Sequence, residues 1–139
     1  MMMGPLLNAT DVRRDWGHFI DTVVRVRPQF VKRNRDTFVA VSSEHLRILL
    51  ASYRFKLEVV QEEDGSFSGS LDVLDLVAHA ATIENLRNEL AHQMVEYANE
   101  YEDEFVLYFN APNRRAHAPY VMSILLQDTV GNVADLLDA

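Results

Sequence analysis

The period of the hydrophobic positions changes several times along this chain, and each change marks an element. Val12, Trp16, Phe19, Ile20 and Val23 recur in helical register, which predicts an amphipathic helix capped by Thr10 and running to about Val26. Pro28 ends it, because Arg27 before it is pushed toward extended backbone. Phe30–Arg33 and Thr37–Val41 then read as two strands, joined by Asn34-Arg35-Asp36 as a three-residue hairpin loop. Ser42 or Ser43 is placed to cap a second helix through about Ala51, with Leu46, Leu49 and Leu50 inward.

Strict alternation begins at Tyr53. Tyr53, Phe55, Leu57 and Val59 point one way and Arg54, Lys56 and Glu58 the other, the pattern of a half-buried strand over 53–60. Asp64-Gly65 turns the chain, and Phe67–Leu71 returns as its partner. Thr82 caps the longest predicted helix, to about Glu102, whose apolar positions Ile83, Leu86, Leu90, Met94, Tyr97 and Tyr101 again step by three or four. Phe105–Phe109 reads as a strand or an extended connection. A last helix is expected over Tyr120–Gln127, interrupted by Gly131 before an acidic, apolar tail. The order of elements predicts an α+β fold: helix, β-hairpin and helix, followed by a β-hairpin, a long helix and a C-terminal helix. The pattern divides near residue 52, which gives two regions, 1–52 and 53–139.

Composition narrows the classes. The chain has 139 residues, 48% of them hydrophobic and 24% charged, as folded proteins do. It has no cysteine, which excludes disulfides and thiolate metal sites. No apolar run approaches the roughly 18 residues that span a bilayer. Met1–Leu7 carries no side-chain charge and contains Gly4-Pro5, so it reads as a frayed start and not a signal peptide; a cytoplasmic protein is expected. The five histidines, His18, His45, His79, His92 and His117, show no HxH or HxxxH spacing, and no phosphate loop or Ser/His/Asp motif is present. Neither a metal, a cofactor nor catalysis is expected. Asn113, Arg114, Arg115 and His117 between two prolines leave two readings: a small-ligand or RNA site, or a rigid loop whose Asn caps the final helix.

Charge separates the two regions more sharply. Residues 1–56 carry ten Lys/Arg and five Asp/Glu, a net of +5, and residues 57–139 carry three and sixteen, a net of −13. A basic region suits a polyanion, whereas an acidic one suits a basic protein.

The first 50 residues resemble the Phd/YefM antitoxins. That family has an amphipathic helix with a basic start, a strand, a basic turn, a strand, a Ser and a short helix, matched here by FVKRNRDTFVAVSSEHLRILL. The usual turn glycine is absent. The second half, from Leu57-Glu58-Val59 through EEDGSFSGSLDVLDLVAHAATIENLRNEL, is similar to a HicB-type antitoxin module, and APNRRAHAPYV resembles a Phd-like group of RelE/RelB-type systems. The resemblance implies a homodimer whose N-terminal units bind operator DNA, and a C-terminal part that neutralises a RelE-like toxin. It implies repression of the chain's own operon. Arg13, Arg14, Lys32, Arg33 and Arg35 are the DNA-binding candidates, Arg by bidentate donation and Lys as a point charge. Arg13 and Arg14 are expected in the first turn of the first helix, where free N–H groups favour phosphate. Glu96, Glu100, Glu102, Asp103 and Glu104, the densest acidic run, are the partner-binding candidates. Both sets are open to a second reading as solvated faces. The alternative function is a Phd-like interaction module without DNA binding.

Overall fold

The computed structural model describes residues 2–138. Its backbone divides into two compact units, Met1–Leu49 and Leu50–Ala139. In both, helices and sheet share the core, the α+β arrangement.

The first unit holds β1 (Leu6–Asn8), α1 (Ala9–Arg14), α2 (Trp16–Arg25), β2 (Gln29–Arg33), β3 (Asp36–Ala40) and α3 (Ser43–Leu49). Its sheet has the order β1-β2-β3. β1 runs parallel to β2 with Leu6 opposite Phe30, so residues read as part of a frayed start form an edge strand. The predicted single helix is two. Asn8, not Thr10, caps the first by accepting from the Thr10 N–H at 2.8 Å, and the backbone leaves helical geometry at Asp15 (φ −132°, ψ 63°). The hairpin is also tighter than predicted. Arg33 pairs with Asp36, which leaves a two-residue loop in which Asn34 adopts φ 55°, a conformation Asn tolerates. Ser42 caps α3, its Oγ accepting from the His45 N–H at 3.0 Å. Leu49, expected inward, is 66% exposed. The core of this unit is small: Val12, Phe19, Val23 and Val31, flanked by Ala9 and Ala40.

The second unit comprises β4 (Phe55–Gln61), β5 (Phe67–Leu71), β6 (Val77–Ala80), α4 (Ile83–Asp103), α5 (Phe105–Asn110), a single 3₁₀ turn (Arg115–His117), α6 (Ala118–Leu125), α7 (Val130–Ala134) and β7 (Leu137–Asp138). The sheet order is β6-β5-β4-β7, antiparallel except where β7 joins β4 in parallel, Phe55 opposite Leu137. Gly65 takes φ 87° in the turn between β4 and β5, where the Asp64 carboxylate accepts from the Ser66 N–H at 2.9 Å. α4 begins as predicted: the Thr82 Oγ1 accepts from the Asn85 N–H at 3.1 Å. Leu86, Leu90, Met94 and Tyr101 are buried beneath it, with Phe55, Leu57 and Leu71 of the sheet and Val121, Ile124 and Val133 of α6 and α7 in the same core. β5 has a glycine, Gly69, beneath Leu86 of α4. A Cβ on Gly69 would lie 2.9 Å from Leu86 Cδ2 and 3.2 Å from Leu57 Cδ1. Three predicted features fail here. Phe105–Phe109 is helical, β6 and β7 are additional strands, and Gly131 lies inside α7, which Thr129 caps by accepting from the Asn132 N–H.

Candidate functional site

Two surfaces carry the candidate residues, one on each unit. In the first unit Arg13 and Arg14 occupy the last turn of α1, not the first as predicted, because the capping residue is Asn8 and the helix is only six residues long. The free N–H groups of that helix therefore lie at its other end. Arg13 and Arg33 line one shallow cleft, together with Thr10, Trp16, Asp36 and Phe38. Lys32, one residue along β2, points to the opposite side of the strand and lines a separate hollow with Asn8 and Asn34. Arg35 is exposed in the hairpin loop. Arg14 pairs with Asp11 at 3.3 Å and Arg33 with Asp36 at 3.6 Å. Both pairs are solvent-exposed, and such pairs contribute about 0–1 kcal/mol, so either arginine can exchange its carboxylate for a phosphate at small cost.

The same unit exposes a large apolar area. Trp16 and Ile20, placed by the sequence on the apolar stripe of the first helix, are exposed, Trp16 at 58%; Phe38 is 52% exposed, and Val24 and Val39 are also open to solvent. Trp16, Ile20, Val24, Phe38 and Val39 line one broad groove between α2 and β3.

In the second unit Glu96, Glu100, Glu102, Asp103 and Glu104 are all exposed. Glu96 and Glu100 sit one turn apart on α4, a like-charge spacing that weakens a helix. Glu102 and Asp103 lie in its last turn and Glu104 at its C-cap, with no basic residue in that turn. Negative charge there opposes the helix dipole. The run therefore does not stabilise the helix that bears it.

The Asn113–His117 segment is engaged internally. The Arg114 guanidinium lies 4.9 Å from the Tyr108 ring centroid and 5.5 Å from that of Tyr97, and its Nη1 donates to the Tyr97 hydroxyl at 3.2 Å. The Tyr97 hydroxyl lies 2.7 Å from Nδ1 of His117, and Tyr101 donates to the Arg114 carbonyl at 2.8 Å. The Tyr97 hydroxyl accepts from Arg114 and shares a second hydrogen bond with His117 Nδ1, whose direction the imidazole tautomer sets. Burial, followed by the Arg114 charge, holds the His117 imidazole below its ordinary value, with Asp75 pulling weakly the other way. Burial likewise raises Tyr97 and Tyr101. All three groups are thus held in their neutral, hydrogen-bonding forms. Asn113 does not cap the following helix; His117 occupies that position without a side-chain bond, and Pro119 lies in the first turn.

Among the described residues no three His, Cys, Asp or Glu side chains gather as a metal site, and no helix is long and apolar enough to cross a membrane. The sequence reading missed α5. Its five consecutive apolar residues fit neither a period of two nor one of 3.6.

Residues 3–139 match a PHD-like family described as the antitoxin of RelE/RelB toxin–antitoxin systems. A crystal structure from Syntrophomonas wolfei subsp. wolfei, assigned as the antitoxin part of a toxin/antitoxin system, is 36% identical to this chain; the match covers 97% of each chain, with a TM-score of 0.91. No curated protein matches. The family match spans all but the first two residues, and the identity to the Syntrophomonas protein holds over nearly the full length of both: this chain belongs to the PHD-like antitoxins of toxin–antitoxin systems.

Proposed function

We propose that this antitoxin works as a cytoplasmic homodimer of the Phd/YefM type, without catalysis. Its basic unit binds operator DNA and represses its own operon. Its acidic unit neutralises a RelE-like toxin. The observation that carries this reading is the division of charge. Drawn at the boundary of the fold, the first unit has eight Lys/Arg against five Asp/Glu, a net of +3, and the second has five against sixteen, a net of −11. The second unit is repelled by nucleic acid and attracted to a basic protein.

Dimerisation is supported by the first unit's thin core. Among the described residues of this unit four buried hydrophobic ones are few for its size, and the groove holding Trp16 and Phe38 is apolar surface that a second copy would cover. Light scattering on the full chain at micromolar concentration checks this. A mass near the 15.9 kDa of one chain would refute it.

DNA binding is tested by mobility shift on the region upstream of the gene, across a salt series. Arg14→Ala and Arg33→Ala should each weaken binding, and each lost phosphate contact should reduce the slope of log K against log salt by about 0.9. The exposed apolar groove of the first unit favours a second reading, an interaction module that does not bind DNA. Absence of any shift at low salt, with or without the co-expressed neighbouring gene product, would select that reading.

A further inference from the structure

α5 is six residues long, too short to persist without tertiary support. Its support comes from one side. Tyr108 packs against the core, and its ring centroid lies 5.3 Å from that of Tyr101. The Phe105 and Phe109 rings stack at 5.2 Å, and the Arg115 guanidinium lies 4.7 Å from the Phe109 ring centroid. Arg115 also donates to the Phe109 carbonyl at 2.9 Å and to Asn110 Oδ1 at 3.1 Å, which fixes the end of the helix.

Val106 and Leu107 take no part in this support. They are 76% and 63% exposed, adjacent in sequence, and continuous with the partly exposed Phe105. Folding gains little from apolar side chains left in water. Residues 96–109 contain five acids and no Lys or Arg, so the ridge directly follows the densest acidic run in the chain. The two arginines that follow are held over the Tyr97, Tyr108 and Phe109 rings. A nucleic acid would be repelled by this edge, and a second copy would bring the same acids to it. Only a cationic partner satisfies both the ridge and its rim.

We infer that α5 is the anchor of the toxin-binding surface: Val106 and Leu107 enter an apolar pocket on a basic protein, whose Lys/Arg rim meets Glu102, Asp103 and Glu104. The inference rests on the toxin-neutralising reading above and names the part of the second unit that performs it.

The test uses the full chain and, as probe, the co-expressed product of the neighbouring gene. Val106→Ser/Leu107→Ser leaves the charge unchanged and removes only exposed apolar groups, so its melting temperature should match that of the parent. Its Kd for the probe should rise about 10- to 100-fold, as loss of a central apolar anchor does. Glu102→Gln/Glu104→Gln should slow association and flatten its salt dependence. In the unsubstituted complex, amide hydrogen exchange across 102–109 should slow, a readout that needs no variant. An unchanged Kd for the double serine variant, or unchanged exchange across 102–109 in the complex, would overturn the inference and leave the toxin reading standing. Failure of the unsubstituted chain to bind the probe would overturn both. A fall in the variant's own oligomeric mass would overturn the inference by making α5 a contact between copies.

Discussion

Gly69→Ala tests the packing of the second unit, because two known effects oppose each other at that residue. In an ordinary strand the change is favourable: alanine has less freedom to lose on folding, worth about 0.5–1 kcal/mol. At Gly69 the new methyl would sit 2.9 Å from Leu86 Cδ2 and 3.2 Å from Leu86 Cγ and Leu57 Cδ1. Carbon atoms in contact prefer about 3.5–4.0 Å. Leu86 or the strand must therefore move by about 0.6–1 Å. Leu86 is fully buried and Leu57 nearly so, which leaves neither side chain an open direction. Overpacking of this kind costs about 1–3 kcal/mol. The steric effect wins, with a net destabilisation of about 1–2 kcal/mol. For a unit of this size that lowers the melting temperature by about 5–15 °C. The assay can isolate the unit: all five tyrosines lie in it, whereas Trp16, the single tryptophan, lies in the other. Near-ultraviolet circular dichroism of the tyrosines through a thermal melt reports the change. In a Leu86→Ala background the closest clash partner is gone and only the 3.2 Å approach to Leu57 Cδ1 remains, so Gly69→Ala should cost less than in the parent. A melt unchanged or raised by Gly69→Ala alone would refute the reasoning, as would an equal loss in both backgrounds.

Three further outcomes are expected. Leu90→Ala should cost the second unit about 2–5 kcal/mol by urea denaturation, since Leu90 is fully buried, and Leu90→Asp should abolish its cooperative transition; a stable Asp variant would mean the helix is not packed on the sheet. Thr82→Ala should cost about 1 kcal/mol through loss of the cap on the Asn85 N–H, while Thr82→Ser retains stability, and equal midpoints for all three proteins would exclude a capping role. His117 is held below its ordinary value near 6.5, so the unfolded chain binds the extra proton first; its contribution to stability is complete above about pH 6.5 and is lost as pH falls toward the lower folded value. Urea midpoints between pH 7 and 5 should decline less steeply in His117→Gln than in the parent, and parallel profiles would exclude the buried imidazole as the cause.

The elements legible in the sequence were those with long, one-sided patterns. α4 follows from six apolar positions at helical spacing and a threonine cap, and β4 from alternation that only one face of a sheet explains. Strands β1 and β7 are three and two residues long and are defined by a partner distant in the chain, which local pattern does not specify. The break at Asp15 carries neither glycine nor proline, so the helical stripe ran through it unmarked. Trp16 and Ile20 belong to that stripe, yet with Val24, Phe38 and Val39 they line an open groove and not the core, and they remain exposed. The candidate basic residues were legible as types. Their grouping was not, because the side of β2 on which Lys32 and Arg33 fall depends on the strand's register with its neighbours. The exposed pair on α5 was hidden for a different reason: a run of five apolar residues reads as core or strand until its backbone geometry is known.

The parallel pairing of β7 with β4 has a consequence for synthesis. The first unit can close as soon as its hairpin and α3 leave the ribosome, because all its strands lie between Leu6 and Ala40. In the second unit Arg54 grips Asp138 through two hydrogen bonds, 2.8 and 2.9 Å long, across 84 residues. Arg87, on α4, donates to the Ala134 and Leu137 carbonyls at 2.9 and 3.1 Å. β4 thus emerges early and waits with one edge open until nearly the whole unit has been translated. During that interval the acidic unit exists as an unfinished sheet, and the order of events along the nascent chain is basic unit first, acidic unit last.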